Sequence, residues 1–199
     1  VGDALHAAEN TLSVSDGFID AGTISAGRGF DKAVKNQVSI TGGTLEVDRI
    51  VGARGDEVVE NQVLINSRIP LTKLYRIIGG EGDEIAQGNL VSITDSEINT
   101  TQTDRYSEDY ILGGNGEDGF AVSNCVLIQG NSKVTSTGIA GGYSEGVRAA
   151  GNLVSIGDGS LVTASGIAGG WVINWYPSDE DRLAAEENKV ELNDRAQIS

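Results

Sequence analysis

Several groups of side chains in this chain have the types and spacing for chemistry. Gly113-Gly-Asn-Gly-Glu-Asp-Gly-Phe-Ala121 matches a glycine-rich calcium-binding nonapeptide, in which glycines bend the chain and Asp118 supplies hard oxygen ligands. Calcium coordination of that kind needs consecutive copies. The nearest analogue, Gly79-Gly-Glu-Gly-Asp-Glu84, has Glu where Asp is expected, so an ordinary Gly-rich turn is the better reading. Glu46, Asp48, Asp95 and Glu97 would line an acidic groove suited to glycoside chemistry or to plain solvation. Tyr143, Trp171, Trp175 and Tyr176 are candidate binding residues, because flat aromatics stack on sugar rings or anchor a protein partner. The single histidine, His6, precedes every repeat and makes a Ser/His/Asp arrangement a poor fit. No catalytic residue is assigned, and a non-enzymatic role is the preferred expectation.

Composition narrows the partners. With 29 acidic residues against 14 basic ones the formal charge is -15, which repels nucleic acid. One cysteine, Cys125, cannot form an internal disulfide, so packing and backbone bonding must hold the fold. Alternation places it outward beside Leu90 and Leu153, in an apolar stripe with Leu64 and Leu127. That stripe is either an interaction surface or a strip under a loop. No apolar run approaches a membrane span, and direct membrane insertion is not expected. No cofactor is expected beyond the weak calcium candidate at Asp118.

The elements that position these groups follow from a repeat. Seven segments begin with Asn and carry aliphatics at alternate positions: Asn10-Thr-Leu-Ser-Val14, Asn36-Gln-Val-Ser-Ile40, Asn61-Gln-Val-Leu-Ile65, Asn89-Leu-Val-Ser-Ile93, Asn124-Cys-Val-Leu-Ile128, Asn152-Leu-Val-Ser-Ile156 and Asn188-Lys-Val-Glu-Leu192. The asparagines are 26, 25, 28, 35, 28 and 36 residues apart. A strand period of two puts Asn and both aliphatics on one face, and the spacing is that of a supersecondary unit stacking on its own copy. Eight to ten residues after each Asn comes a second-strand aliphatic: Ile19, Leu45, Ile69, Ile98, Val134, Leu161 and Ile198. A third segment pairs Ile with small residues, as in Ile77-Ile-Gly-Gly80 and Ile139-Ala-Gly-Gly142. Three short strands and three turns per unit predict a right-handed parallel β-helix of about seven coils, roughly 34 Å long at one strand spacing per coil.

An antiparallel sandwich supplies no reason to repeat a buried Asn. Stacked coils do, because asparagines about 4.8 Å apart can bond amide to amide along a ladder. Two coils carry insertions: Asn99 to Asp109, and the stretch from Trp171 to Glu187. Ser178 with Asp181 resembles a helix capping box, so one short helix is predicted in the second insertion. Residues 1-199 read as a single domain.

The Asn-x-Val-x-Ile strands, with the Ile-Ala-Gly-Gly-Tyr143 and Ile-Ala-Gly-Gly-Trp171 turns, resemble the degenerate repeats of bacterial autotransporter-type adhesin passengers. The resemblance covers Asn10 to Ile198. It implies a haemagglutinin-like β-helix, secreted or on a bacterial cell surface, and a segment of a longer protein. Its partner would be a surface glycan or protein, or a second copy of itself. Two other roles known for such repeats, a carbohydrate-active lyase or hydrolase and a phage tail fibre, stay open. Lys189, Glu191, Asp194 and Arg195 in the last repeat would discourage uncontrolled end pairing.

Overall fold

The computed structural model describes residues 4-67, 71, 74-100, 110-173, 184-193 and 195-199. The Asn-led segments form a seven-stranded sheet stacked in chain order: Thr11–Val14, Gln37–Ile40, Gln62–Ile65, Leu90–Thr94, Cys125–Gln129, Leu153–Ile156 and Lys189–Leu192. The second and third segments of each unit share a 13-stranded sheet. Some of its strands turn the corner without losing partners: Phe18–Val34 pairs with Thr44–Val59 from Phe18 beside Thr44 to Val34 beside Val59. Every pairing in both sheets is parallel, so the protein is a β-solenoid.

It has about five turns, not the seven coils that the Asn count suggests. The first and seventh Asn-led strands are the edges of their sheet, each with a neighbour on one side only, which leaves five with neighbours on both. The last rung pays for this in exposure, with Val190 at 43% and Leu192 at 57%, where Val154 and Ile156 below them are fully buried.

Two further expectations change. The second-strand position of the third coil belongs to Leu71, which bridges to Ile98; Ile69 lies outside the described residues. Three aliphatics within six residues, Ile69, Leu71 and Leu74, make that place ambiguous in the sequence, and the bridge to Ile98 gives it to Leu71. Of the second insertion, for which one short helix is predicted, residues 174-183 lie outside the described residues. Ala184–Glu186 is instead a strand paired with Arg148–Ala150, and that pairing overrides the local helix propensity of Ala and Glu.

The interior has two lobes. Val38, Ile40, Val63, Ile65, Ile77, Val91 and Ile93 belong to a large aliphatic cluster, and Ala7, Ala33, Ala53, Val58 and Ala86 to a small one. Paired glycines separate them, where the third segment crosses the first with no side chain between. A Cβ on Gly79 would stand 2.9 Å from the backbone N and O of Leu90, and one on Gly80 would stand 2.5 Å from the Asn89 Oδ1.

The asparagines lie in this waist and form a continuous ladder. The backbone N–H and Nδ2 of Asn36 both donate to Asn61 Oδ1, at 2.9 Å each. Asn61 donates likewise to Asn89, Asn89 to Asn124, Asn124 to Asn152 and Asn152 to Asn188, all within 2.9–3.1 Å. Asn10 opens the series onto Asn36. Each Nδ2 from Asn36 onward also donates to a carbonyl of the rung below: Ala7, Ala33, Val58, Ala86, Ala121 or Ala149. Every amide between the two ends is thus satisfied as donor and acceptor, which removes the cost of burying it.

A second, shorter polar column stands at the turn after the first strand, where Ser67, Ser96, Ser132 and Ser160 are all buried. Ser67 N–H donates to Ser96 Oγ at 2.9 Å, and Ser132 Oγ donates to the Gln129 carbonyl at 2.6 Å.

Candidate functional site

Register along the third segment builds one lateral face. The residue four places after the recurring third-segment Ile of each unit forms a column: Arg28 beside Arg54, Arg54 beside Glu81, Glu81 beside Asn115, Asn115 beside Tyr143 and Tyr143 beside Trp171. The residue just before that Ile forms a parallel column, with Arg49 beside Arg76 and Tyr110 beside Gly138. Between them run Val51, Ile78, Leu112 and Ala140, which turn away from the aliphatic lobe and are buried with Tyr143; Tyr110, Trp171 and Ile173 pack against them.

The upper half of this face is aromatic. Ring centroids are 6.2 Å apart for Tyr110 and Tyr143, 5.9 Å for Tyr110 and Trp171, and 6.1 Å for Tyr143 and Trp171. The first pair is stacked and the other two are edge-to-face, the arrangements that ring quadrupoles favour. Tyr143 is the floor of the cluster: only 4% exposed, it donates its hydroxyl to Glu145 at 3.1 Å. Tyr110 and Trp171 are half-buried and form its rim. The Tyr110 ring lies over Gly138, where a Cβ would meet its Cδ1 at 2.6 Å, whereas a Cβ on Gly166 would meet nothing within 4 Å. Among the described residues, space is therefore left open beside Gly166 in the glycine column. Trp175 and Tyr176 lie outside the described residues.

The lower half is cationic. Glu81, buried to 6% exposure, is held between Arg49 and Arg54, with Arg49 Nη1 at 3.3 Å and Arg54 Nε on the other oxygen. Arg28 lies over the Phe30 ring at 6.0 Å, a cation–π contact at an exposed site. At the junction of the two halves, buried Asn115 has an Oδ1 with no hydrogen-bond partner among the described residues.

Tyr110, Asn115 and the four arginines went unrecognised in the sequence, although aligning the units on their Ile shows both columns at constant offsets. Tyr143 and Trp171 are brought together directly.

Other candidates are dispersed. Glu46 and Asp48 belong to the coil that starts at Asn36, and Asp95 and Glu97 to the one that starts at Asn89; the Asn61 coil lies between, so the four are not on adjacent rungs. Asp95 Oδ1 accepts the Asn131 N–H and Glu97 pairs with Lys133. His6 is exposed. Cys125 stands beside Leu90 and Leu153, and burial, with a smaller contribution from Glu191, pushes its thiol up to about 11. It is protonated at neutral pH and so a poor nucleophile.

Asp118 sits in an exposed turn stacked on Asp83, whose carbonyl accepts its N–H. Among the described residues no three His, Cys, Asp or Glu side chains are placed to hold a metal ion. The turn is acidic enough to perturb Glu117: partial burial first, then Glu81, Asp83, Glu145 and Asp118, raise its carboxyl above the ordinary 4.5. A carboxyl raised in the folded state binds its proton more tightly folded than unfolded. Its contribution to stability is then present below pH 4.5 and lost as pH rises through the folded value. Glu117→Gln is expected to raise the melting temperature at pH 7 slightly, by about 1 °C after solvent screening. The gain should vanish in acid, and thermal melts across that range check it.

No family model, curated protein or solved structure matches the chain. Among the described residues no helix is long and apolar enough to cross a membrane.

Proposed function

We propose that this solenoid is an adhesive display element of a bacterial surface or secreted protein, and that it binds a glycan on its lateral aromatic face. The observation that carries the reading is the cluster of Tyr110, Tyr143 and Trp171, gathered from three successive rungs onto one side of a rigid sheet. Half-exposed rings over a buried aromatic floor give a sugar a flat apolar contact, and the sheet beneath them loses little freedom on binding. The polar groups beside the rings, Glu145 and the Arg49–Glu81–Arg54 group, supply the few oriented hydrogen bonds that such sites use for selectivity.

Trp171→Ala removes one half-buried ring from the rim of the described cluster without touching the Asn ladder. A glycan array followed by titration calorimetry on the best hit should show affinity falling at least about tenfold, the equivalent of 1.4 kcal/mol. Unchanged binding by the folded variant would overturn the aromatic-face reading. Release of reducing or unsaturated sugar from any array member would move a lyase or hydrolase ahead of it.

A further inference from the structure

We infer that the stacked turns around Asp83 and Asp118 form a docking groove for a basic segment of a partner protein, with one apolar side chain of that segment seated against Phe120 and its lysines or arginines against Asp83, Glu84 and Asp118. The inference does not depend on the glycan-binding reading, because the groove is lined by none of the residues placed beneath the glycan.

The groove follows from how the turns stack. Between the third segment and the strand that leads to the next Asn each unit turns a corner, and successive corners bond to one another. Asp118 N–H donates to the Asp83 carbonyl and Glu117 N–H to the Gly82 carbonyl, at 2.8 Å each, and Val147 N–H donates to the Gly119 carbonyl at 3.2 Å. Just past the corners Ile85 stands in register with Phe120. The result is an open hollow of about 570 Å³ with Ile85, Phe120 and Val147 as its apolar wall and Asp56, Asp83, Glu84 and Asp118 around them. Phe120 is 40% exposed there, although Ala121 beside it is fully buried.

The charge of the groove is not balanced from within. Among the described residues Asp56, Asp83, Glu84 and Asp118 form no ion pair. Arg28 and Arg54 stand at the lower end, across a smaller hollow from Asp56 and Asp83, and Arg54 already holds Glu81. The two hollows together are lined by five carboxylates and two guanidiniums; Arg49, Glu117 and Glu145 beside them make it seven against three. Burial, and after it the negative neighbours, raise the Glu117 carboxyl, as an uncancelled field would. Corners one strand spacing of about 4.8 Å apart lie inside a Debye length of about 8 Å, so salt screens the repulsion only in part. Turn geometry does not require the charge, because Asn turns a chain as readily as Asp.

Charge and shape together choose the occupant. A second copy of this chain would bring a further -15 and set carboxylates against carboxylates. A bare metal ion would leave the Phe120 wall unused. An extended segment with an apolar side chain and a basic one two residues to either side presents all three on one face. The apolar side chain fills the wall, and each basic one lays its carbon stem along it with the cationic head at the carboxylates. The arginines at the lower end repel such a segment and so confine it to the rungs above Asp56.

Calorimetry on the intact chain tests this with three capped peptides as probes: lysine-serine-leucine-serine-lysine, the same peptide with serine for leucine, and the same with glutamate for both lysines. The first is expected to bind at least about tenfold more tightly than either of the others, and to weaken as salt rises from about 50 mM to about 500 mM. Asp118→Asn should weaken it several-fold, whereas Asp158→Asn, which removes the same charge from an exposed turn outside the groove, should leave it unchanged. Phe120→Ser, checked for an unchanged melting temperature, should bring the leucine peptide down to the affinity of its serine counterpart. Equal binding of those two peptides to the wild type would overturn the inference, as would equal losses from Asp118→Asn and Asp158→Asn. Spermidine binding as tightly as the leucine peptide, or no binding by any of the three peptides, would overturn it too.

Discussion

Asn124→Asp should lower the stability of this solenoid by about 4 kcal/mol at pH 7, within the range for an uncompensated charge left in a protein interior. The substitution changes one atom, but it reverses the polarity of a rung. Asn124 Nδ2 donates to the Ala86 carbonyl at 2.8 Å and to Asn152 Oδ1 at 3.1 Å. A carboxylate in the same place donates to neither, and its oxygen faces two acceptors across buried contacts. What survives is the pair of bonds in which Asn89 N–H and Nδ2 donate to the remaining oxygen at 3.0 Å each, and the residue-124 backbone N–H that donates to Asn152 Oδ1 at 2.9 Å. The predicted pH dependence follows from the same geometry. Burial and two facing acceptors raise the carboxyl's pKa in the folded state, so the variant should regain stability as pH falls and lose it as pH rises. Chemical denaturation at pH 7 and pH 4 measures both. A variant equal to the wild type at pH 7 would mean that the ladder contributes nothing net, and that the repeated Asn is kept for another reason.

The repeat that carries this ladder is plain in the sequence because two periods coincide in it. Alternation puts Asn, Val and Ile on one face, and the recurrence of the same triplet along the chain says that each face stacks on its own copy. Val38, Val63, Val91, Val126, Val154 and Val190 accordingly stand in one unbroken line of register. The backbone that delivers each Asn is much less legible. Glu9, Lys35, Glu60, Ser123 and Glu187, each just before a ladder Asn, have φ of 54–56°, a left-handed conformation that costs a non-glycine residue and that nothing in Glu or Lys announces. Only Gly88 and Gly151, the two glycines at that position, carry a local hint. The site was harder still. Arg28, Arg54, Glu81, Asn115, Tyr143 and Trp171 share a column but no single chemistry, and a search for one repeated residue type passes over a line that runs from Arg through Glu and Asn to Tyr and Trp. It is the constant offset from the Ile, not the residue type, that holds them together.

Gly113→Ala is the second large effect expected, roughly 3 kcal/mol of destabilisation from adding a single methyl group. The methyl would stand 2.4 Å from the Gly141 carbonyl oxygen, 2.6 Å from the Cys125 backbone N and 2.7 Å from its O. All three are backbone atoms in paired strands, so relief requires moving two sheets apart at the waist where they cross. Separation there would also lengthen the Asn124 bonds next door, since a Cβ on Gly114 would meet the Asn124 side chain at 2.4 Å. Ala26 and Ala53 occupy the corresponding glycine columns in the first two coils, so the strain is not prohibitive everywhere. Among the described residues Ala26, in the column of Gly113, has a paired strand on one side only, and Ala53 stands in the column of Gly114, whereas Gly113 has rungs packed on both sides. Gly166→Ala is the matched control: it adds the same methyl to a glycine of the same sheet, where nothing lies within 4 Å. Its melting temperature should match the wild type or exceed it slightly, because alanine reduces the freedom of the unfolded chain. Equal melting temperatures for the two variants would show that the waist is looser than the backbone distances indicate, and that close approach of the two sheets is not what keeps glycine at this crossing.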